Sequence, residues 1–201
     1  AEDDLDILGL VVTKEFLSDP VLPGAEVVLR FTIENSSPAL AIIIAFFDPL
    51  DPEFIPGLTT VAPLPADPCG VGSVLTADDR DDPLGEELKL TGATLAAAGS
   101  PGDSCTFDVT LLVPAATPSA TYTNTTGFIF AFIGTALVLP EPATDTLTVA
   151  GDLLFLEKEF SGDPVAPGGE VTLGFTLTNL DDANPITDIT FSDDLDAALA
   201  G

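Results

Sequence analysis

A segment near the beginning of the chain returns further along it, and this internal repeat constrains the fold more than any other feature. Of the 22 positions from Lys14 to Asn35, 14 are identical to the positions 144 residues later, with no gap between the copies. A repeat of this length predicts tandem domains. We expect one complete repeat over residues 8–151 and the first third of a second over 152–201, with residues 1–7 as the last strand of a preceding repeat.

These boundaries predict that the chain begins and ends inside domains, as a section of a longer tandem array would. An alternative is a short subunit that its neighbours complete. In that case residues 1–7 could pair with the unfinished repeat of another chain by strand exchange.

Apolar and polar side chains alternate along the best-defined segments of the repeat. The alternation runs from Val27 to Glu34 and from Cys105 to Leu111, and it is the two-residue period of a strand with one buried face. Further strands are predicted at 8–16, 40–47, 58–63, 87–93, 120–133 and 143–150. Seven or eight strands and no sustained helical period predict an all-β fold, an Ig-like antiparallel β-sandwich.

The composition excludes several classes of function. The chain has 33 acidic and 5 basic residues, and its formal net charge of −28 would repel nucleic-acid phosphates. Histidine is absent, which excludes His-based triads and His-containing zinc sites. The apolar fraction of 46% is enough to bury a core. The longest apolar stretches, Ala39–Phe47 and Gly127–Leu139, are too short to cross a bilayer as helices. We therefore expect no membrane span and no enzyme.

Two cysteines, Cys69 and Cys105, lie 36 residues apart. Two thiols without histidine cannot complete a tetrahedral zinc site, so a structural disulfide is favoured over a metal-binding or redox-active pair. A structural disulfide indicates an oxidising compartment outside the cytoplasm.

Several motifs resemble those of the conserved-repeat, Ig-like domains that occur in tandem on bacterial surface and secreted proteins. The segments that carry the resemblance are Phe16–Asn35, Pro68–Ser73, Ser104–Phe107, Tyr122–Thr126 and Phe191–Asp196. The resemblance implies a β-sandwich spacer or adhesin-type repeat with a Cys69–Cys105 bridge. It implies no catalytic residues.

The first copy departs from the second in one strand. Where the second copy has the polar residues Thr187, Asp188 and Thr190, the first has isoleucine or phenylalanine. A strand that is apolar on both faces is covered on both faces, so these residues and a second apolar run predict a self-association interface. An alternative is that an internal hairpin, such as 134–140, covers them. The candidate interface residues are Ile43, Ile44, Phe46, Phe128, Ile129, Phe130 and Phe132.

Carboxylates cluster in the predicted turns, where side-chain and backbone oxygens could bind calcium. The alternative is a solvated acidic surface, since no segment has the spacing of an EF-hand. The candidate ligands are Asp48, Asp51, Glu53, Asp78, Asp79, Asp81, Asp82, Asp193, Asp194 and Asp196.

Together these features predict a non-enzymatic, extracellular or cell-surface structural repeat. We expect it to bind copies of itself in an array or filament, with no required cofactor and calcium as an optional ion. A ligand-binding adhesin module is the alternative, and an inert spacer beside an enzyme domain is a third hypothesis. Two segments, Asn35–Ser37 and Asn124–Thr126, match the N-glycosylation pattern, which we interpret as coincidence.

Overall fold

The structure is a computed structural model, and it describes residues 9–79, 86–152, 154–162, 164–166, 168–180 and 185–195. The predicted strand over residues 1–7 lies outside these ranges. The chain divides into two compact units, with the division between Gly151 and Asp152. Within the described residues no helix is long and apolar enough to cross a membrane.

The described part of the first unit is built from strands connected by turns. In chain order they are β1 (Leu10–Phe16), β2 (Glu26–Asn35), β3 (Ala41–Pro49), β4 (Thr59–Thr60), β5 (Val74–Asp79), β6 (Glu86–Leu95), β7 (Ser104–Leu112), β8 (Ala120–Thr125), β9 (Ile129–Ile133), β10 (Ala136–Val138) and β11 (Thr144–Val149).

These strands form an all-β, Ig-like sandwich whose named strand pairs are antiparallel. One sheet has the order β1-β2-β7-β4, the other has the order β10-β9-β3-β6-β5, and β8 pairs with β11. Alternation along β2 buries Val27, Leu29, Phe31 and Ile33, because every second side chain of a strand points to the same face. The core forms where these inner faces meet, and Phe31 lies in it with its ring 5.1 Å from that of Phe46 on the opposite sheet.

The prediction of a single strand over 120–133 is wrong, because this segment passes from one sheet to another. It contributes β8 to the pair with β11 and β9 to the five-stranded sheet. Between them, Thr126 N–H donates to Ala143 O at 2.9 Å and Gly127 N–H donates to Phe47 O at 2.8 Å. The apolar run alone does not show this change of partner. The sequence also missed the strands β5 and β10.

The structure contains a Cys69–Cys105 disulfide, with the two Cα atoms 5.3 Å apart. It ties β7, which carries Cys105, to the turn that precedes β5. Both cysteines pack on the hydrophobic core.

The described part of the second unit contains β12 (Leu154–Ser161) and β13 (Thr172–Asn179). Their antiparallel register aligns Leu154 with Asn179, and the register of β1 and β2 aligns Leu10 with Asn35. The two hairpins therefore share one register at the 144-residue offset of the sequence repeat.

Candidate functional sites

Large apolar side chains cover the outer face of the sheet around β9. Phe132 lies opposite Ile42 on β3 and opposite Leu137 on β10, so these three side chains share one face. Phe128 is 60% exposed, Leu137 55% and Ile43 52%. We call this surface the outer apolar face, and its residues are Ile42, Ile43, Phe47, Phe128, Phe130, Phe132 and Leu137.

Three of the predicted interface residues are corrected to core residues. Ile44 and Phe46 are fully buried, and Ile129 is 1% exposed. Ile129 pairs with Phe46, and both point into the sandwich. Around Ile43 the register of β3 shifts against both neighbouring strands, and Ile43 itself has a φ of 54°. This bulge places Ile43 outside and Ile44 inside, so the apolar run serves two faces.

The alternative of an internal hairpin over this face is also wrong. Residues 136–138 form β10, which hydrogen bonds beside β9 and extends the sheet at its edge. Its inward residue Val138 packs on the core, whereas Leu137 stays exposed. On the β6 side, Lys89 Nζ lies 5.3 Å from the centroid of the Phe47 ring. A cation over an aromatic face is a favourable contact, and it borders the outer apolar face there.

A second feature lies inside the first unit, where three polar side chains form a buried polar cluster. Lys14 Nζ on β1 donates to Asp48 Oδ1 on β3 at 2.9 Å, and it also donates to Asn124 Oδ1 on β8. The side chains of Lys14 and Asp48 are both fully inaccessible to solvent. Asn124 Nδ2 donates to Pro49 O at 3.0 Å, which fixes the orientation of the carboxamide.

Burial dominates the electrostatics of this cluster, because it disfavours the charged form of each group. It lowers the pKa of the Lys14 amine, although Asp48 and Asp145 act to raise it. Burial also raises the pKa of the Asp48 carboxyl, with Lys14 opposing the shift and Glu87 adding to it. Within the described residues, Asp48 Oδ2 has no hydrogen-bond partner. The pair is therefore shifted toward a neutral amine beside a neutral acid.

Sequence reasoning missed Lys14 and Asn124. Lys14 occupies an inward position between Val12 and Phe16, which are both buried. A lysine at an inward position, in a chain with 5 basic residues, was the signal that could have found it. Asn124 is 1% exposed, as is Asn35, so in the folded domain neither side chain is available to a glycan.

The second unit repeats part of the cluster. Lys158, which corresponds to Lys14, donates from Nζ to Asp193 Oδ1 at 2.8 Å. The offset between Lys14 and Lys158 is 144 residues, whereas that between Asp48 and Asp193 is 145. The contact between a lysine amine and an aspartate carboxyl group is thus present in both copies despite the shift in alignment.

Asp48 is corrected from a calcium candidate to a member of the buried polar cluster. Asp51 Oδ1 accepts from Gly57 N–H at 2.7 Å, and Asp193 binds Lys158. Across the described ranges no group of three acidic or cysteine side chains could hold a metal ion. Calcium binding stays a prediction. The other candidates lie as follows: Glu53 in the turn after β3, Asp78 and Asp79 at the end of β5, Asp194 beside Asp193, and Asp81, Asp82 and Asp196 outside the described residues.

Fold and surface together define an Ig-like β-sandwich protein with an exposed apolar sheet face. The chain belongs to the family described as domain of unknown function DUF7933, whose model matches residues 11–149 and again residues 155–200. No curated protein matches the chain.

Solved structures with a similar arrangement of strands share little sequence with the chain. A non-cellulosomal cohesin from the archaeon Archaeoglobus fulgidus is 13% identical with a TM-score of 0.45, over 70% of this chain and 91% of that one. An Ig-like protein from Nocardia farcinica is 20% identical with a TM-score of 0.41, over 69% and 97%. The collagen-binding domain of a Staphylococcus aureus adhesin is 13% identical with a TM-score of 0.41, over 68% and 96%.

Proposed function

We propose that this protein is a non-enzymatic, extracellular structural repeat that associates with copies of itself through the outer apolar face. The observation that carries the proposal is the continuous row formed by Leu137, Phe132 and Ile42 across three adjacent strands. Exposed apolar patches of this kind mark interaction surfaces on soluble proteins. The disulfide and the resemblance to conserved-repeat domains of bacterial surface proteins support the extracellular location.

The free energy available from such a contact is comparable to the cost of association. Burying about 400 Å² of apolar surface contributes roughly 10 kcal/mol at about 25 cal/mol per Å². The loss of rigid-body freedom opposes this gain with a cost of about 4–15 kcal/mol. A single contact is therefore weak, and several contacts along an array would add to one another.

Two observations favour a second copy as the partner. The family model matches the chain twice, so copies of the domain occur together on one polypeptide at high effective concentration. The net charge of −28 makes two molecules repel each other, but the outer apolar face contains no acidic residue. Contact through this face therefore brings no negatively charged side chains together at the centre of the interface.

The test is sedimentation velocity over a range of protein concentrations in salt high enough to screen the charge repulsion. We expect concentration-dependent association that the double variant Ile43→Thr, Phe130→Thr abolishes. Val11→Thr is the matched control, because Val11 is 49% exposed on the outer face of the other sheet. A wild-type protein that stays monomeric, or a double variant that associates equally well, would contradict the proposal.

A ligand-binding adhesin is the second candidate, and a groove in the first unit favours it. The groove has a volume of about 490 Å³ and lies between residues 9–12 and 138–142. Electron microscopy of the purified protein separates the two functions. End-to-end fibres without added ligand support the structural repeat, whereas single particles that bind cells or glycans support the adhesin.

A further inference from the structure

The buried polar cluster contains the three groups that amide formation requires: an amine, a carboxamide and a carboxyl group. They come from three different strands, and Lys14 and Asn124 are 110 residues apart in sequence. An amine that touches a carboxamide inside a rigid sandwich is held as a reactant is held in an intramolecular reaction, where proximity replaces collision.

We propose that Lys14 and Asn124 become joined by an isopeptide bond in the folded domain, with Asp48 carrying the proton. Lys14 Nζ contacts the carboxamide oxygen, so the carbonyl carbon of Asn124 is one bond away from the atom already in contact. Asp48 Oδ1 lies 2.9 Å from the same nitrogen. This inference goes beyond the proposed function and does not depend on the outer apolar face.

The protonation states that burial favours are those that the reaction needs. The nucleophile must be a neutral amine, and burial lowers the pKa of Lys14. The proton carrier must be a carboxylic acid at the start, and burial raises the pKa of Asp48. Asp145 acts on Lys14 and Glu87 acts on Asp48 as the other charged groups near the pair. Asp48 Oδ2, which has no partner among the described residues, is the oxygen on which that proton can reside.

The reaction balances without any co-reactant. Lys14 Nζ attacks Cγ of Asn124, and the acid proton of Asp48 moves to the carboxamide oxygen as the tetrahedral intermediate forms. One proton of the former amine then passes through Asp48 to Nδ2. The Cγ–Nδ2 bond breaks, the carbonyl re-forms as its proton returns to Asp48, and one molecule of ammonia leaves. One Cγ–Nζ bond is formed for the Cγ–Nδ2 bond that is lost, and no oxidant or reductant takes part.

The surroundings of Asn124 suit this outcome. Its leaving nitrogen is held by Pro49 O at 3.0 Å, which turns the carbonyl carbon and oxygen toward Lys14. A cavity of about 180 Å³, lined by Pro49, Glu53 and Phe54, adjoins Asn124 and gives ammonia a place to leave. The bond would connect β1 to β8 and close a loop through most of the first unit.

The bond would add a mechanical property to the proposed array, and this consequence rests on the proposed function. A pulling force along the chain would pass directly from Lys14 to Asn124. The residues between them would carry no load while the bond lasted. Lys158 and Asp193 show that the amine and the acid occur as a pair in the second unit too.

Mass spectrometry of the purified, disulfide-reduced chain tests the proposal. We expect an intact mass lower than that of the sequence by one ammonia molecule. Trypsin cannot cleave after an acylated lysine, so the digest should contain residues 1–30 joined to residues 90–158, with fragment ions that place the branch at Lys14 and Asn124. A full sequence mass, or an ammonia loss without the branched peptide, would overturn the proposal.

Variants assign the role of each group. Asn124→Ala removes the electrophile and Asp48→Asn removes the proton carrier, so both should lack the branched peptide. Lys158→Ala is the matched control and should retain the cross-link in full. It removes a lysine of the second unit and the trypsin site there, so the branched peptide should appear as residues 1–30 joined to residues 90–201. If Asp48→Asn contains as much branched peptide as the wild-type protein, the proposed role of Asp48 is refuted. The wild-type measurement decides the bond itself even if a variant fails to fold.

Discussion

The outer apolar face and the buried polar cluster reverse the usual distribution of side chains, and both use β3. Ile42, Ile43 and Phe47 carry apolar side chains to the exterior, whereas Asp48 carries a carboxyl group into the core. An exposed apolar side chain forgoes only the free energy of burial, but a buried polar or charged group without a partner costs about 1–5 kcal/mol. Substitutions should therefore have different consequences at the two regions. In the buried polar cluster they should mainly lower stability, and on the outer apolar face they should mainly weaken association.

The largest effect on stability is expected for Lys14→Ala. This change leaves the Asp48 carboxyl group buried without the amine that contacts it and also removes the proposed cross-link, and losing one partner of a buried pair costs about 3–5 kcal/mol. Denaturant unfolding measures the loss. The control Lys158→Ala breaks an ion pair in which the lysine side chain is 46% exposed, so its effect should stay near 0–1 kcal/mol. Equal losses in the two variants would remove the distinction between the buried and the exposed pair.

The next largest difference in stability is expected between two neighbouring residues of one apolar segment, Ile129 and Phe128. Ile129→Ala removes a buried side chain and should lower the free energy of unfolding by about 2–5 kcal/mol. Phe128→Ala removes a side chain that is 60% exposed, so its effect should be about 0.5 kcal/mol or less. Thermal unfolding of the two variants at low protein concentration measures the difference without the contribution of association. A greater loss for Phe128→Ala would mean that Phe128 packs inside.

The smallest effect is expected at an exposed ion pair, which serves as a reference for the buried one. Arg30 Nε lies 2.7 Å from Asp108 Oδ1, and a hydrogen bond from Arg30 lowers the pKa of Asp108 below its usual 3.8. Between the lowered pKa of folded Asp108 and 3.8, the unfolded chain therefore binds more protons than the folded chain. The contribution to stability is present above pH 3.8 and is lost as the pH falls through the folded pKa. When the melting temperature is measured against pH, Asp108→Asn should show a slightly smaller decrease at acidic pH than the wild-type protein. High salt should reduce the difference between the two proteins. An unchanged profile would show that the pair adds nothing.

Much of the fold could be predicted because strand alternation is a local property. The alternation of Val27 to Glu34 became β2, and the repeat of Lys14–Asn35 reappeared as a second hairpin with the same register. The segment 120–133 could not be predicted in the same way. Its residues favour a strand throughout, and only the positions of Ala143 and Phe47 decide that the chain changes sheets at Gly127.

The candidate sites show the same limit. The sequence pointed to the strands that carry the outer apolar face but could not separate Ile43 from Ile44, because a bulge changes which residues face outward. It gave no reason to connect Lys14 with Asn124, since residues 110 apart meet only through long-range packing.

What the sequence determined by itself is the repeat, the acidic surface, the absence of histidine and the strand alternation that makes the chain a β-sandwich. These follow from composition and from the two-residue period of a strand, which need no knowledge of distant contacts. The tertiary structure decided which apolar residues are buried and which polar residues meet in the core. Both depend on strand register and sheet order, because a shift of one residue moves a side chain to the opposite face.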